Sequence, residues 1–462
     1  MNNNLPAKNR GTFLNVSSRY LPRFTIMISL VSVVIATTAC SEPAHSTTDY
    51  SQHGEFTATS TSTDNPDTFK PTEKVTNKPT EIITNTDTDK PIEKTTGKPT
   101  EVNGYRDVFT TVHLYPDDTT EKFTHLPMDF EQISSIVPLG EADSVAGEST
   151  AAKAGGAGAH VLPTDHITVF SGQKGDSHTY QVYAVADSYL VQVDYETGRW
   201  ASPDGTPNQL DDYALTFQVS KSLFIMETHL TSIDPQLKTQ IGALKTGDQN
   251  FVQIKVSAGE LLGQGGGTAY LNSNDLWAVD MSKPAAFIHP DWYGSKSGYA
   301  VNALDYFIEP LRGQLMNKLP LRPEPRGGQF AFDIDGKLIG SWFPFTGNTD
   351  ITKPPQQRAN LSFFYRAENP AIIEIGYDET GTVYVIKGNS PDPATISVQS
   401  GLVKYELMNN RSQDPGNATY FKTEATILVQ IVDSRTIKME LFEGKTADEV
   451  SVFDSSAIQL YR

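Results

Sequence analysis

The chain of 462 residues has a single cysteine, Cys40, and only nine histidines. One thiol cannot close an intrachain disulfide, so whatever folds here folds by burial alone. Long apolar runs are equally scarce. The longest, residues 24–36 (FTIMISLVSVVIA), falls short of the roughly 20 residues that span a bilayer comfortably. Positive charge is sparse: 37 Lys and Arg stand against 55 Asp and Glu, a formal charge of −18. That balance argues against nucleic acid as a partner, because such binding rests on neutralising phosphates. There is no Gly-x-Ser-x-Gly elbow, phosphate loop or dinucleotide fingerprint, and no His-x-x-x-His pair. Those absences remove the commonest hydrolase, nucleotide and zincin signatures.

What is present begins around Cys40. Lys8, Arg10, Arg19 and Arg23 precede the apolar run without an acidic residue, and Thr37-Thr38-Ala39 follows it. A basic stretch, a short apolar core and small residues at a cut form an export signal. The segment resembles a bacterial lipoprotein signal, with Thr37 where that family usually carries Leu. The resemblance implies a removed signal peptide at 1–39 and several acyl chains on Cys40. Several chains hold a protein on a membrane where one is marginal. Ser41 after the cysteine, in place of Asp, implies the outer membrane by analogy with enteric bacteria. The expected location is therefore the bacterial cell envelope, with a lipid on Cys40 as the membrane contact. Processing removes four basic residues and takes the charge from −18 to about −22.

Residues 40–104 read as the anchor and a disordered tether. Thr, Ser, Pro, Asp, Glu and Lys dominate, and too little apolar surface is available to offset chain entropy. A degenerate repeat runs through it: Lys70-Pro71-Thr72-Glu73, Lys78-Pro79-Thr80-Glu81, Lys90-Pro91-Ile92-Glu93 and Lys98-Pro99-Thr100-Glu101. Regular prolines favour extended polyproline II, hence a semi-stiff spacer.

From residue 105 strand signals dominate, interrupted by the flexible run 151–159 (AAKAGGAGA). Strands are expected at 180–185, 189–195, 214–219, 223–228 and 251–256, with small or polar turns between them. Val301, Leu304, Phe307, Leu311, Leu315 and Leu319 recur at helical spacing, and Pro310 should start a second helix or kink the first. Strands resume at 329–333 and 337–343 around Asp335-Gly336, then at 371–377, 383–387, 425–432 and 436–442. A loop around Pro391-Asp392-Pro393 leads into a further long strand. The predicted fold is mainly β. It comprises a sandwich or barrel-sandwich module at 105–324 with a helical segment at its end, and a second antiparallel module at 325–462.

Residues 158–281 resemble the lysostaphin-type zinc peptidoglycan endopeptidases. His160, Asp165 and His166 (GAHVLPTDHI) stand near that family's first His-x-x-x-Asp. Residues 181–193 (QVYAVADSYLVQV) resemble its entry strand pair, and Thr228-His229-Leu230 its Tyr-x-His-Leu. Residues 255–263 (KVSAGELLG) resemble its Val-x-x-Gly-Asp-x-Ile-Gly. The resemblance implies a zinc held by the first His, the Asp and the last His of a terminal His-x-His. Two departures oppose activity. Four residues, not three, separate His160 from Asp165, and Asp275-Leu276-Trp277 occupies the terminal motif. Trp does not ligate zinc, whereas a catalytic zinc needs three protein ligands and an open position for water. No cofactor is therefore expected. Bland readings stand beside this one: His229 capping the end of an apolar strand, and His160 and His166 in a solvated loop.

The function expected is a lipid-anchored envelope protein whose ectodomain binds, without cleaving, peptidoglycan or an envelope protein. An alternative is a zinc metallopeptidase acting on peptidoglycan, with metal ligands among His160, Asp165 and His166 and with His229 as the catalytic base. Another is a small-molecule-binding C-terminal module. For that module Gly340-Ser341-Trp342 resembles the Gly-x-Trp of the lipocalin first strand, and Trp342 is expected in the core.

Overall fold

The computed structural model describes residues 106–118, 122–142, 162–172, 178–197, 210–267, 272–320, 323–344, 361–377, 382–409 and 422–462. Cys40, the tether and His160 lie outside the described residues. All described residues belong to one compact unit, Ile92–Arg462. Two antiparallel sheets dominate, as the strand signals predict.

The first sheet contains β1 (Ile133–Val137), β2 (Ile167–Ser171), β3 (Thr179–Tyr183), β4 (Ser188–Thr197), β5 (Asp211–Gln218), β6 (Leu223–Ile233), β7 (Gln249–Val256), β8 (Leu261–Gly266), β9 (Ser273–Asp280) and β10 (Ala300–Val301). Its main path runs β1-β2-β9-β6-β5-β4-β7, with β10 on β9 and β8 bridging β6 to β3. Alternation decides the faces. Leu223 and Ile225 of β6, Leu215 and Phe217 of β5, and Leu276 and Ala278 of β9 point into one core with Tyr180, Leu230 and Leu262. The intervening residues form the opposite face, which carries the candidate site. The glycine run in β8 follows from crowding, since a Cβ on Gly265 would stand 2.4 Å from the Tyr180 ring and one on Gly263 2.0 Å from the Ser232 carbonyl. The 180–185 and 189–195 segments form strands but do not pair with each other. β3 joins β8, while β4 lies between β5 and β7.

The predicted helical patch is broken. β10 is followed by a 3₁₀ turn at Ala303–Tyr306 and a short helix at Leu311–Met316. Asn302 caps the first turn through Leu304 N–H (3.0 Å), and Pro310 sits at the N-cap of the second. Each cap restarts the chain, yet Leu304, Phe307, Leu315 and Leu319 still reach the same core.

The second sheet holds β11 (Gly340–Trp342), β12 (Leu361–Tyr365), β13 (Ile373–Tyr377), β14 (Thr382–Ile386), β15 (Leu402–Asn409), β16 (Thr423–Asp433), β17 (Thr436–Glu443) and β18 (Ile458–Tyr461). Every strand pairs with the next in sequence. Phe343, just past β11, exchanges both backbone bonds with Tyr461 of β18 (2.8 and 2.7 Å). The meander therefore closes into an eight-stranded barrel. Along β16, Ala425, Ile427, Val429 and Ile431 point inward to join Trp342, Phe363 and Tyr405. Trp342 is fully buried; its indole donates to the Leu338 carbonyl (2.8 Å), and the Arg462 guanidinium lies 3.9 Å above its ring. Arg462 in turn donates to the carbonyls of Ile334, Lys337 and Leu338.

Residues 329–333 are not a strand. Leu139 N–H bonds the Gly327 carbonyl (3.0 Å). Asp333 spends its carboxylate on the N–H groups of Ile288 (3.1 Å) and Ser341 (3.0 Å). The segment thus docks against the first module before Asp335-Gly336 turns it into β11. Phe343 packs edge-on against Trp292 and Tyr293, at 5.3 and 5.1 Å.

Candidate functional site

A bulge builds the centre of the site. β6 pairs with β5 at Tyr213↔Leu230 and at Leu215↔Glu227, so Thr228 and His229 together face Ala214. The extra residue gives His229 a left-handed backbone, φ 64°. That conformation is uncommon outside glycine and costs on the order of 1 kcal/mol or more. It aims the imidazole between two strands. Nε2–H donates to Asp275 Oδ2 of β9 (3.0 Å) and Nδ1–H to Asp212 Oδ1 of β5 (3.3 Å). Thr168 of β2 donates to the other Asp275 oxygen at 2.7 Å.

Beside this pair lies Asp165, delivered by the turn before β2. Its Oδ1 accepts the indole N–H of Trp277 (2.6 Å) and Nδ1–H of His166 (3.2 Å). Its Oδ2 accepts the Ser297 hydroxyl. The His166 ring lies on the Trp277 ring, centroids 3.8 Å apart, and His166 Nε2 is 3.7 Å from Asp275 Oδ2. A short helix, Gly294–Gly298, supplies Ser297 and also Lys296. The Lys296 ammonium sits 4.0 Å over the Trp277 ring, and Asp165, Asp194 and Asp275 all act on it electrostatically.

Electrostatics follow from this geometry. Burial opposes charge on His229, but the Asp275 carboxylate and the hydrogen bonds of Asp212 and Asp275 push it up to about 10. It is an imidazolium at neutral pH, with both N–H groups committed. Burial alone raises a carboxylate, yet the His166 hydrogen bond and the Lys296 charge hold Asp165 well below the ordinary range. Asp275 is likewise held down, against burial, by His229 and Thr168. Burial pushes Asp194 up despite two bonds from the Gln192 amide (2.9 and 2.8 Å). For Lys296 burial lowers the value and the three aspartates oppose that.

A strap crosses the same face. Residues 106–118 include α1 (Val108–Thr111), capped by Asp107. Arg106 lies over Phe251 of β7 (4.8 Å), Tyr115 meets Tyr189 of β4 (5.4 Å), and Phe109 meets Phe224 of β6 (5.3 Å). Leu114 N–H donates to the Gln218 side chain of β5 at 2.9 Å. Asp107 accepts the Ser295 hydroxyl, which ties the strap to the segment carrying Lys296.

Asp165, His166 and His229 thus converge, with Asp275 among them. Their donor atoms meet one another. Among the described residues, no group of three His, Cys, Asp or Glu side chains is arranged to hold a metal ion. Two bland expectations need correction. His166 does not lie in a solvated loop: it is 2% exposed, beside Asp165 at 3%. His229 does not end its strand but bulges from its middle. Asp212, Thr168, Ser297 and Lys296 were not expected at the site, because no spacing motif ties them to it.

No family model matches the chain, and no curated protein matches it. Among solved structures it is similar to a chain of the SpoIIQ-SpoIIIAH pore forming complex. Identity is 15% and the TM-score 0.23, over 42% of this chain and 95% of that one.

Proposed function

We propose that this chain is a lipid-anchored protein of the bacterial cell envelope whose β-rich ectodomain is a degenerate endopeptidase module that binds and does not cleave. One observation carries the proposal. Trp277 stands where the endopeptidase resemblance places the last zinc ligand, and its N–H takes up Asp165 Oδ1, the oxygen of a second ligand candidate. The remaining donors fit an ion-pair network better than a metal. Asp165 is further bonded by His166 and Ser297, and Asp275 by His229 and Thr168. Hydrolysis also needs a base with a free lone pair. His229, held between two aspartates, has given both nitrogens away. Peptidoglycan or an envelope protein is the ligand proposed for the module.

Cys40 is the proposed attachment point, and residues 40–104 give the ectodomain its reach. The test uses the full chain, purified from membranes. Pelleting with isolated sacculi, or capture of a defined envelope protein, without release of muropeptides supports the proposal. One tightly held zinc per molecule together with muropeptide release that H229A abolishes overturns it. An unmodified Cys40 by mass spectrometry removes the anchor.

A further inference from the structure

The strap at 106–118 lies on the first sheet without entering it. None of its residues joins a strand ladder. Its bonds to the body run mostly through side chains. Arg106 N–H donates to Gln249 Oε1 (3.1 Å) and Leu114 N–H to Gln218 Oε1 (2.9 Å). At the far end Lys221 N–H donates to the Asp117 carbonyl (3.3 Å). Asp118 there accepts the Ser220 hydroxyl (3.1 Å) and both the N–H and the hydroxyl of Ser222 (2.7 and 2.8 Å). The apolar contacts are separate too. Val108 and Val112 form a small buried cluster with Val191 of β4, with Phe109, Leu114 and Tyr189 against it. None of these residues belongs to the main core of the module, and neither does Phe224, against which Phe109 stands edge-on. Lifting the strap therefore leaves that core whole. It uncovers a strip of Val191, Phe224 and Tyr189, the first two buried at 1% and 0% exposure. It also breaks the Asp107 bond to Ser295, beside the Ser297 that holds Asp165.

We infer that the strap is an autoinhibitory cover: it undocks as one piece, and an extended segment of a partner protein takes its place. The inference deepens the proposal of a binding module and rests on it. Of the two ligands named there it selects the protein. The strap itself shows what chemistry fits the strip. Two valines four residues apart pack on Val191, and aromatic rings stand edge-on to Phe224 and Tyr189. A glycan offers neither. A segment with few buried apolar contacts and no ladder bonds opens well below the free energy of global unfolding. A cover that is open about one part in a hundred weakens a competitor's apparent affinity about a hundredfold. The free protein therefore keeps the strip closed, and a partner segment of the right pattern displaces the strap.

Hydrogen exchange on the full chain tests the undocking. The amides of Leu114, Lys221 and Ser222 are bonded across the contact between strap and body. They should exchange together, about a hundredfold or more faster than the amides of β5 and β6, at a rate that urea below the unfolding transition leaves unchanged. Exchange of the strap only through global unfolding, at the rate of β5 and β6, overturns the inference. A second measurement supplies the occupant in trans. A fluorescein-labelled peptide of residues 106–118 is titrated against the wild type and against F109S/D118A, whose strap has lost its ring contact and its latch. The peptide should bind the variant about tenfold or more tighter than the wild type, and a scrambled peptide of the same composition should bind neither. No binding to the variant, equal affinity for both proteins, or equal binding of the scrambled peptide each overturn the inference. Should the variant not fold, exchange on the wild type decides alone. Neither measurement uses sacculi or an envelope protein, so failure here is separable from failure of envelope binding.

Discussion

Replacing His229 by glutamine tests the charge network at its centre. In the folded chain the imidazole is raised from an ordinary value near 6.5 to about 10. A raised histidine contributes stability that is fully present below pH 6.5 and disappears as pH climbs through the folded value. At about 1.4 kcal/mol per pH unit the interval sets a ceiling of roughly 5 kcal/mol. Asp275 and Asp212 share that same energy, so about half, roughly 2 kcal/mol, is a fair share for the histidine. Lys296 works in the opposite sense, because a lysine lowered by burial favours the folded state as pH rises. Urea titrations between pH 6 and 9.5 should therefore show the wild type losing about 1–2 kcal/mol. With a urea slope of about 2–3 kcal/mol/M, the midpoint falls by roughly half a molar. H229Q keeps a donor but no charge. It should be less stable than the wild type at pH 6.5, and the two curves should converge towards pH 9.5. A gap between them that is the same at both ends of the range refutes the imidazolium and the electrostatics built on it.

Trp277→Phe removes the indole donor from a buried carboxylate and should cost about 1–3 kcal/mol by urea titration. A neutral result would mean that Asp165 does not depend on that bond. Glu227 is fully buried on the core side of β6, and burial raises its carboxyl well above the usual range. Its unfolded form ionises first as pH rises, so Glu227→Gln should stabilise the protein at pH 8 and change little at pH 4, as thermal melts will show. Arg462→Met strips the cation from above Trp342 and from three backbone carbonyls. A loss of about 2–4 kcal/mol is expected, together with a drop in near-ultraviolet circular dichroism from the barrel tryptophan.

Much of the architecture was legible in the residues. Alternation in 214–219, 223–228 and 425–432 is a local signal, and those segments became β5, β6 and β16. Pairing was less legible where partners are distant. The 180–185 and 189–195 strands look like a hairpin, yet β3 pairs with the distant β8, and β4 lies between β5, the next strand in sequence, and the more distant β7. The residues 329–333 carry strand propensity, but Asp333 is claimed by backbone donors at Ile288 and Ser341, which no local pattern reveals. At the site, motif resemblance singles out Asp165, His166 and His229, and marks 275–277 as the place of the terminal motif. The bulge that turns His229, and the arrival of Lys296 and Ser297 from a helix more than 60 residues further on, are tertiary facts.

The barrel is stitched shut along one line by the two backbone bonds between Phe343 and Tyr461, while β16 and β17 are joined along eight residue pairs. A cylinder that uneven should open at its stitch first. Opening there would bare β11 and β18 as naked edges, each able to recruit the same strand from another copy. Keeping those edges covered therefore depends on a short seam, and Phe343 guards it twice, once with its backbone and once with a ring packed edge-on against Trp292 and Tyr293.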